Sequence, residues 1–233
     1  GPLMAQEDIS FTDLIASSIH DMKNSLNVQI SVLEKLAAQY KDTLQPNSYQ
    51  DLGGVIYQAN RMNANLIQLL SLYKLDKQIY PIDIAEHSVA EVIDDVLRLY
   101  QPVLDFKHIT IAVDCAPDCY WYMDRDLISG VVLNALNNAF QYTRDTIRVA
   151  ARIEGDWLEL RVEDNGSGYP ASMLRDEATA SKHGVSFLTG STGLGFHFSS
   201  QVTRMHRNAQ REGMLIIENG GAYGGGCFVI RLP

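Results

Sequence analysis

Two long stretches of helical periodicity, separated by only a few residues, constrain this chain more than any other feature. From Phe11 to Leu44, apolar residues fall at Ile15, Ile19, Met22, Leu26, Ile30, Leu33, Ala37 and Tyr40. Steps of three and four residues place them on one stripe of an amphipathic helix. Ser10 or Thr12 can cap its start. Gln45-Pro46-Asn47-Ser48 breaks the pattern, which resumes through Leu52, Ile56, Ala59, Leu66, Leu69 and Tyr73. Gly53-Gly54 is a weak spot near the beginning of this second helix. Helices joined by so short a turn must lie antiparallel. Each then has a single neighbour, and much of its apolar stripe stays wet. Two hairpins together make a four-helix bundle, so a homodimer through the helical hairpin is expected on physical grounds.

Around Ile79 to Ile84 the pattern changes, and from Pro81 onward helices alternate with strands. The periodicities predict a helix from Glu86 to Leu104, a strand from His108 to Asp114, and a turn at Pro117-Asp118 into a strand from Tyr120 to Met123. A helix from Arg125 to Gln141 follows. Strands Thr146 to Ile153 and Trp157 to Glu163 then flank the turn Glu154-Gly155-Asp156. A long loop runs from Asp164 to Thr192, and connections of that kind usually carry function. The chain closes with a helix from Gly195 to His206, a strand from Met214 to Glu218, a glycine-rich bend and a strand from Cys227 to Leu232. Hairpin strands mixed with helices predict an α/β sandwich with its helices on one sheet face. The expected class is α + α/β: a helical hairpin over 1–79, then an α/β sandwich over 80–233.

A formal charge of −9 argues against binding to nucleic acid or to an anionic membrane surface. No apolar run approaches the roughly 20 residues that span a bilayer, so no membrane insertion is expected in this chain. Three cysteines fit a reducing compartment better than a disulfide framework, which points to a cytoplasmic protein. Cys115 and Cys119 flank a short turn and read as ordinary strand cysteines rather than as a redox or metal pair.

Three segments carry candidate chemistry: Asn134-Ala135-Leu136-Asn137-Asn138-Ala139 late in a helix, Asp164-Asn165-Gly166-Ser167-Gly168 directly after a strand, and Gly190-Ser191-Thr192-Gly193-Leu194-Gly195 opening a helix. Glycines ahead of a helix let its free N–H groups and its dipole hold phosphate. A helical asparagine offers a carbonyl oxygen, a hard ligand suited to Mg²⁺. An aspartate at a strand end can accept a hydrogen bond from an amine such as adenine N6. Together they would bind Mg-ATP, without any Walker-type sequence.

In order and spacing, these segments resemble the asparagine box and the two main glycine boxes of the Bergerat-type ATPase fold, shared by histidine kinases, gyrase and mismatch-repair ATPases. The closing Glu218-Asn219-Gly220…Gly224-Gly225-Gly226-Cys227-Phe228 resembles the tail of the kinase branch. The resemblance implies that Asn138 is the Mg²⁺ ligand and Asp164 the adenine-specific acceptor. Gly166, Gly168, Thr192, Gly193, Leu194 and Gly195 would line the nucleotide, with Tyr142 near the adenine. Asn134 would stand where ATP-hydrolysing relatives carry a glutamate base, and an asparagine cannot activate water.

In the helical hairpin, Ile19-His20-Asp21-Met22-Lys23-Asn24 resembles the histidine box of the main class of bacterial histidine kinases. The resemblance implies transfer of the γ-phosphoryl of Mg-ATP to His20, with Asp21 as base or orienting group. The phosphoryl would then pass to an aspartate of a response-regulator receiver domain. Asn24, one turn on, matches the position that orients water to dephosphorylate that partner. The chain departs from the family at Gln141, where a lysine is usual; Arg144, Arg175, Lys182 or His183 can substitute, with Lys182 favoured. The usual phenylalanine box is missing, and Phe187 can do only part of its packing. A catalytically degenerate phosphotransfer or scaffold protein is the alternative.

Overall fold

The computed structural model describes residues 10–175 and 193–233. The chain divides into two compact units, one ending at Tyr80 and the other starting at Pro81. No helix among the described residues is long and apolar enough to cross a membrane.

The first unit is a pair of helices, α1 (Phe11–Tyr40) and α2 (Pro46–Asp76). Ser10 caps α1, its Oγ accepting from the Asp13 N–H at 3.1 Å. The expected break is shorter than the sequence suggests. Pro46, Asn47 and Ser48 form the first turn of α2, where a proline's fixed φ is preorganised and its missing N–H costs nothing. Nor does Gly53-Gly54 interrupt α2, and Gly53 is buried in the hairpin. The Tyr73 hydroxyl donates to the Asp13 carboxylate and ties the end of α2 to the start of α1. Ile19, Ile30 and Ala37 of α1 are buried with Ile56, Ala59 and Ala64 of α2. Leu14, Ile15, Met22, Val28, Val32 and Leu36 remain exposed, as do Val55, Met62, Ile67 and Leu69. The apolar stripe is therefore wider than one neighbouring helix can cover.

The second unit opens with strand β1 (Ala85–Ser88), where a helix start was expected. It pairs antiparallel with β3 (Tyr120–Met123). The helix begins three residues later, as α3 (Val89–Lys107), because Ser88 caps it by accepting from Glu91 N–H. Next come β2 (Thr110–Cys115), α4 (Arg125–Tyr142), β4 (Thr146–Glu154), β5 (Trp157–Asp164) and the short α5 (Ala171–Arg175). After the undescribed residues come α6 (Leu194–Met205), β6 (Arg207–Asn208), β7 (Arg211–Glu212), β8 (Met214–Gly220) and β9 (Gly225–Leu232). The β6–β7 hairpin turns through Ala209 at φ 56° and was not foreseen, its polar residues lacking a strand pattern.

Five strands form the main sheet in the order β2-β4-β5-β9-β8. β2 runs parallel to β4, and the other pairs are antiparallel. Strand alternation puts Leu158, Leu160, Val162, Phe228, Ile230 and Leu232 on one face, buried against α4 and α6. The opposite face is charged. There Arg161 bonds Glu163 at 2.8 Å and Glu218 at 2.7 Å, and Arg148 lies between Asp114 and Glu163.

One junction holds the start of this unit to its core. Asp124, nearly fully buried, caps α4 through Oδ1 to Leu127 N–H and accepts the Asp83 N–H on Oδ2. Its own N–H donates to His206 Nε2 at 3.0 Å, while His206 Nδ1 donates to the Val202 carbonyl at 2.8 Å. These bonds require a neutral imidazole with its proton on Nδ1. Burial lowers the His206 pKa, outweighing the Asp124 charge that would raise it. A histidine whose folded pKa lies below its unfolded value contributes stability above that unfolded value, near 6.5, and loses it as the pH falls toward the folded one. Thermal melts between pH 7.5 and about pH 5 should therefore show Tm of this unit falling on acidification, with a shallower acid slope in His206→Gln; identical slopes would refute the role of this imidazole.

Candidate functional site

Asp164 ends β5 with 4% of its surface exposed. A carboxylate so placed needs donors, and the backbone brings two: Oδ1 accepts from Gly166 N–H at 2.8 Å and from Gly226 N–H at 3.3 Å. Burial raises its pKa, and the two backbone bonds act in the opposite direction. Such close approach is possible only where side chains are absent. A Cβ on Gly166 would sit 2.0 Å from the Tyr142 carbonyl oxygen, and one on Gly225 would sit 2.4 Å from the Asp164 carbonyl oxygen. Oδ2 of Asp164 has no donor among the described residues.

Asn165 fixes this loop from the other side. Its Oδ1 accepts from the N–H groups of Arg144, Asp145 and Thr146 at 3.0, 3.1 and 3.2 Å and from the Thr143 hydroxyl at 3.0 Å. Its Nδ2 donates to Asp145 at 2.6 Å, which helps hold the Asp145 carboxyl below its ordinary range. The segment between α4 and β4 is thus folded around one amide. Asn219 clamps the far end of the loop, accepting from Tyr169 N–H at 2.7 Å and donating to the Tyr169 carbonyl at 2.9 Å. Gly168 lies against this clamp, since a Cβ there would meet Asn219 Oδ1 at 2.8 Å. Burial, with the Asp164 charge adding, drives the Tyr169 hydroxyl far above its usual pKa. Its ring stands edge-on to Tyr142 and to Phe196, and Phe196 stacks on Phe228. Tyr142 therefore belongs to an aromatic wall beside the Asp164 loop.

On α4, Asn134 is buried and ties two helices together. Its Nδ2 donates to the Gly195 carbonyl and to Ser199 Oγ, both at 3.0 Å. Asn138 lies one turn further along the same face, half-buried, and no partner among the described residues holds its side chain. α6 begins at Gly193, which caps it in the left-handed conformation at φ 72° with no side-chain cap. Leu194 and Gly195 form the first turn, whose N–H groups carry the positive end of the helix dipole. Of the predicted site residues, Lys182 and Thr192 lie outside the described residues, as do His183 and Phe187. Gln141 is exposed.

His20 lies in the first unit, on α1, with its side chain 55% exposed. Asn24 Nδ2 stands 3.3 Å from His20 Nδ1, and an Asp21 carboxylate oxygen stands 3.7 Å from the same nitrogen. Ile19 beside it is buried, but Met22, expected to share that seam, is exposed. Asn165 and Asn219 were quoted in the sequence motifs without a role. An asparagine directly after a strand-ending aspartate, ahead of a glycine, was the available signal for the first.

Residues 123–233 match the family model described as histidine kinase-, DNA gyrase B- and HSP90-like ATPase. The phosphate regulon sensor protein PhoR of Pseudomonas aeruginosa is 28% identical over 206 residues, covering 84% of this chain and 45% of that protein. The adaptive-response sensory kinase SasA of Synechocystis is 27% identical over 223 residues, covering 86% of this chain and 55% of that one. The chain thus spans about half the length of these curated relatives. In fold it is similar to the Acinetobacter baumannii histidine kinase AdeS, at TM-score 0.56 and 18% identity, covering 89% of this chain and 96% of that one. Full-length ShkA in complex with AMPPNP matches at TM-score 0.62 and 19% identity, over 96% of this chain and 46% of that one. The resemblance to sensor histidine kinase cores therefore extends well beyond the motifs.

Asn165→Ala would strip one acceptor from four donors and should destabilise the second unit by roughly 1–3 kcal/mol. A urea melt followed by far-ultraviolet circular dichroism reads this as a lower midpoint, and an unchanged midpoint would remove Asn165 as the anchor of the loop.

Proposed function

We propose that the chain is the catalytic core of a histidine protein kinase of a two-component system, a reading supported by the match of residues 123–233 to the histidine kinase-, DNA gyrase B- and HSP90-like ATPase family model. It phosphorylates its own His20 from ATP and passes the phosphoryl group to an aspartate of a response-regulator receiver domain. The observation that carries this proposal is the exposed imidazole of His20, with Asp21 and Asn24 at Nδ1, in a chain whose other unit has the ATPase family match.

In the nucleotide unit, adenine is read by the oxygen that Asp164 keeps out of its backbone bonds, against the wall of Tyr142 and Tyr169. The first turn of α6 receives the phosphates, and Gly195 is held there by Asn134. The unpartnered amide of Asn138 fits a hard cation, and Mg²⁺ bound there would neutralise phosphate charge during transfer. A neutral ring nitrogen of His20 forms the N–P bond as the bridging P–O bond to ADP breaks, while Asp21 holds or takes the ring proton. Asn24, one turn from His20, would orient water for loss of phosphate from the partner and so add a phosphatase activity. The wet apolar stripe of α1 and α2 supports a homodimer through the hairpin.

Incubation with ATP labelled at the γ position should yield acid-labile, base-stable label on the protein. His20→Ala should abolish that label while nucleotide binding persists. Absence of both label and nucleotide binding in the wild type would replace the kinase with a scaffold of the same fold. A second expectation concerns Asp164→Asn. The backbone N–H groups would keep the amide oxygen, so Nδ2 would face the adenine amine and set donor against donor. Affinity for ATP should fall by about 10- to 100-fold by calorimetry; wild-type affinity would remove Asp164 from adenine recognition.

A further inference from the structure

A cavity of about 650 Å³ opens on the second unit, and no residue assigned above to nucleotide binding lines it. Tyr120, Trp121 and Tyr122 of β3 line it, with the Tyr120 and Tyr122 side chains on one face of the strand and that of Trp121 on the other. Ile84, from the segment leading into β1, lies beside them, and Arg207 and Arg211 come from the β6–β7 hairpin. Its volume falls within the roughly 300–1,000 Å³ of small-molecule sites.

The chemistry of the lining narrows the occupant. Tyr120 and Tyr122 are 50% and 60% exposed, so their rings are open to a flat apolar partner. Arg211 lies 5.6 Å from the Trp157 ring centroid, a cation–π contact that holds its guanidinium in place. Its carboxylate neighbour, Asp156, is 3.5 Å away, and Arg207 stands 3.2 Å from Glu212. Both pairs are largely solvent-exposed and therefore weak, which leaves the guanidinium donors able to exchange for a bound anion. His206 also lines the cavity, but both its ring nitrogens are committed, to Val202 and Asp124. Each arginine of the lining thus starts paired, Arg211 with Asp156 and Arg207 with Glu212, and a bound carboxylate would exchange for those partners.

We propose that this cavity binds a small aromatic carboxylate, its ring against the β3 tyrosines and its carboxylate on Arg207 and Arg211. A single guanidinium offers the planar fork that matches one carboxylate. The bound molecule would rest on Ile84, next to Asp83, whose N–H is held by Asp124.

The test uses 2-naphthoate and its uncharged amide, 2-naphthamide, titrated into the full chain by calorimetry. Nitrogen-15 spectra follow the indole N–H resonances of Trp121 and Trp157, the two tryptophans of the chain. Saturable binding of naphthoate that moves the Trp121 and Trp157 resonances is expected, with the amide weaker by about tenfold or more for want of its charge-assisted bonds. Arg207→Gln and Arg211→Gln should bring naphthoate down toward the amide, and Tyr122→Ala should weaken both probes, with ATP affinity and thermal midpoint unchanged in all three. A saturating ATP analogue should leave naphthoate binding intact. No saturable binding at millimolar naphthoate, equal affinity for acid and amide, or binding that leaves both indole resonances unmoved would each overturn the proposal.

Discussion

A carboxylate can be kept from water only where other donors are carried to it, and that requirement organises the second unit. Asp164 draws the Gly166 and Gly226 amides onto one oxygen, which forces β5, the turn after it and the start of β9 into contact that any side chain would block. The neighbouring Asn165 then absorbs the donors of the segment between α4 and β4, and Asn219 closes the loop around Tyr169. The aromatic wall and the end of α4 thereby meet the loop that carries this one acidic group. Its other oxygen, Oδ2, takes no part in these bonds.

The hairpin obeys a different rule. Its two helices satisfy each other along Ile19, Ile30, Ile56 and Ala59 and leave the rest of their apolar stripe in solvent. His20 therefore sits on a surface rather than in a core, beside polar neighbours at Asp21 and Asn24 that lie within reach of its ring. Nothing in the packing requires a histidine at that place, whereas Ile19, one residue earlier, is fixed by burial.

Periodicity revealed the long elements because their burial is one-sided. α1, α2, α4 and the β4–β5 hairpin carry apolar residues at regular intervals, and their limits fall within a few residues of those expected. Short elements escaped. β1 is four residues whose partner, β3, lies more than thirty positions away, and its sequence Ala-Glu-His-Ser alternates too weakly to outcompete the helical pattern that follows. At the site, residue types were legible while their division of labour was not. Asn134 reads as the stand-in for a catalytic base, and its bonds to Gly195 and Ser199 are invisible in sequence. Asn165 reads like filler but receives four hydrogen bonds. Both assignments depend on contacts across long sequence separations, which no local pattern encodes.

The bond from Asp83 to Asp124 has a mechanical side. Asp124 stands at the head of α4, an 18-residue rod whose length is about 27 Å, and the same rod carries Asn134 and Asn138 in its second half. The chain arriving from the helical hairpin is thus moored to the end of a stiff lever rather than to a loop. Tension along that mooring meets the α4 backbone, and through the bond from Asp124 to His206 it also meets α6, which Asn134 grips at Gly195 and Ser199.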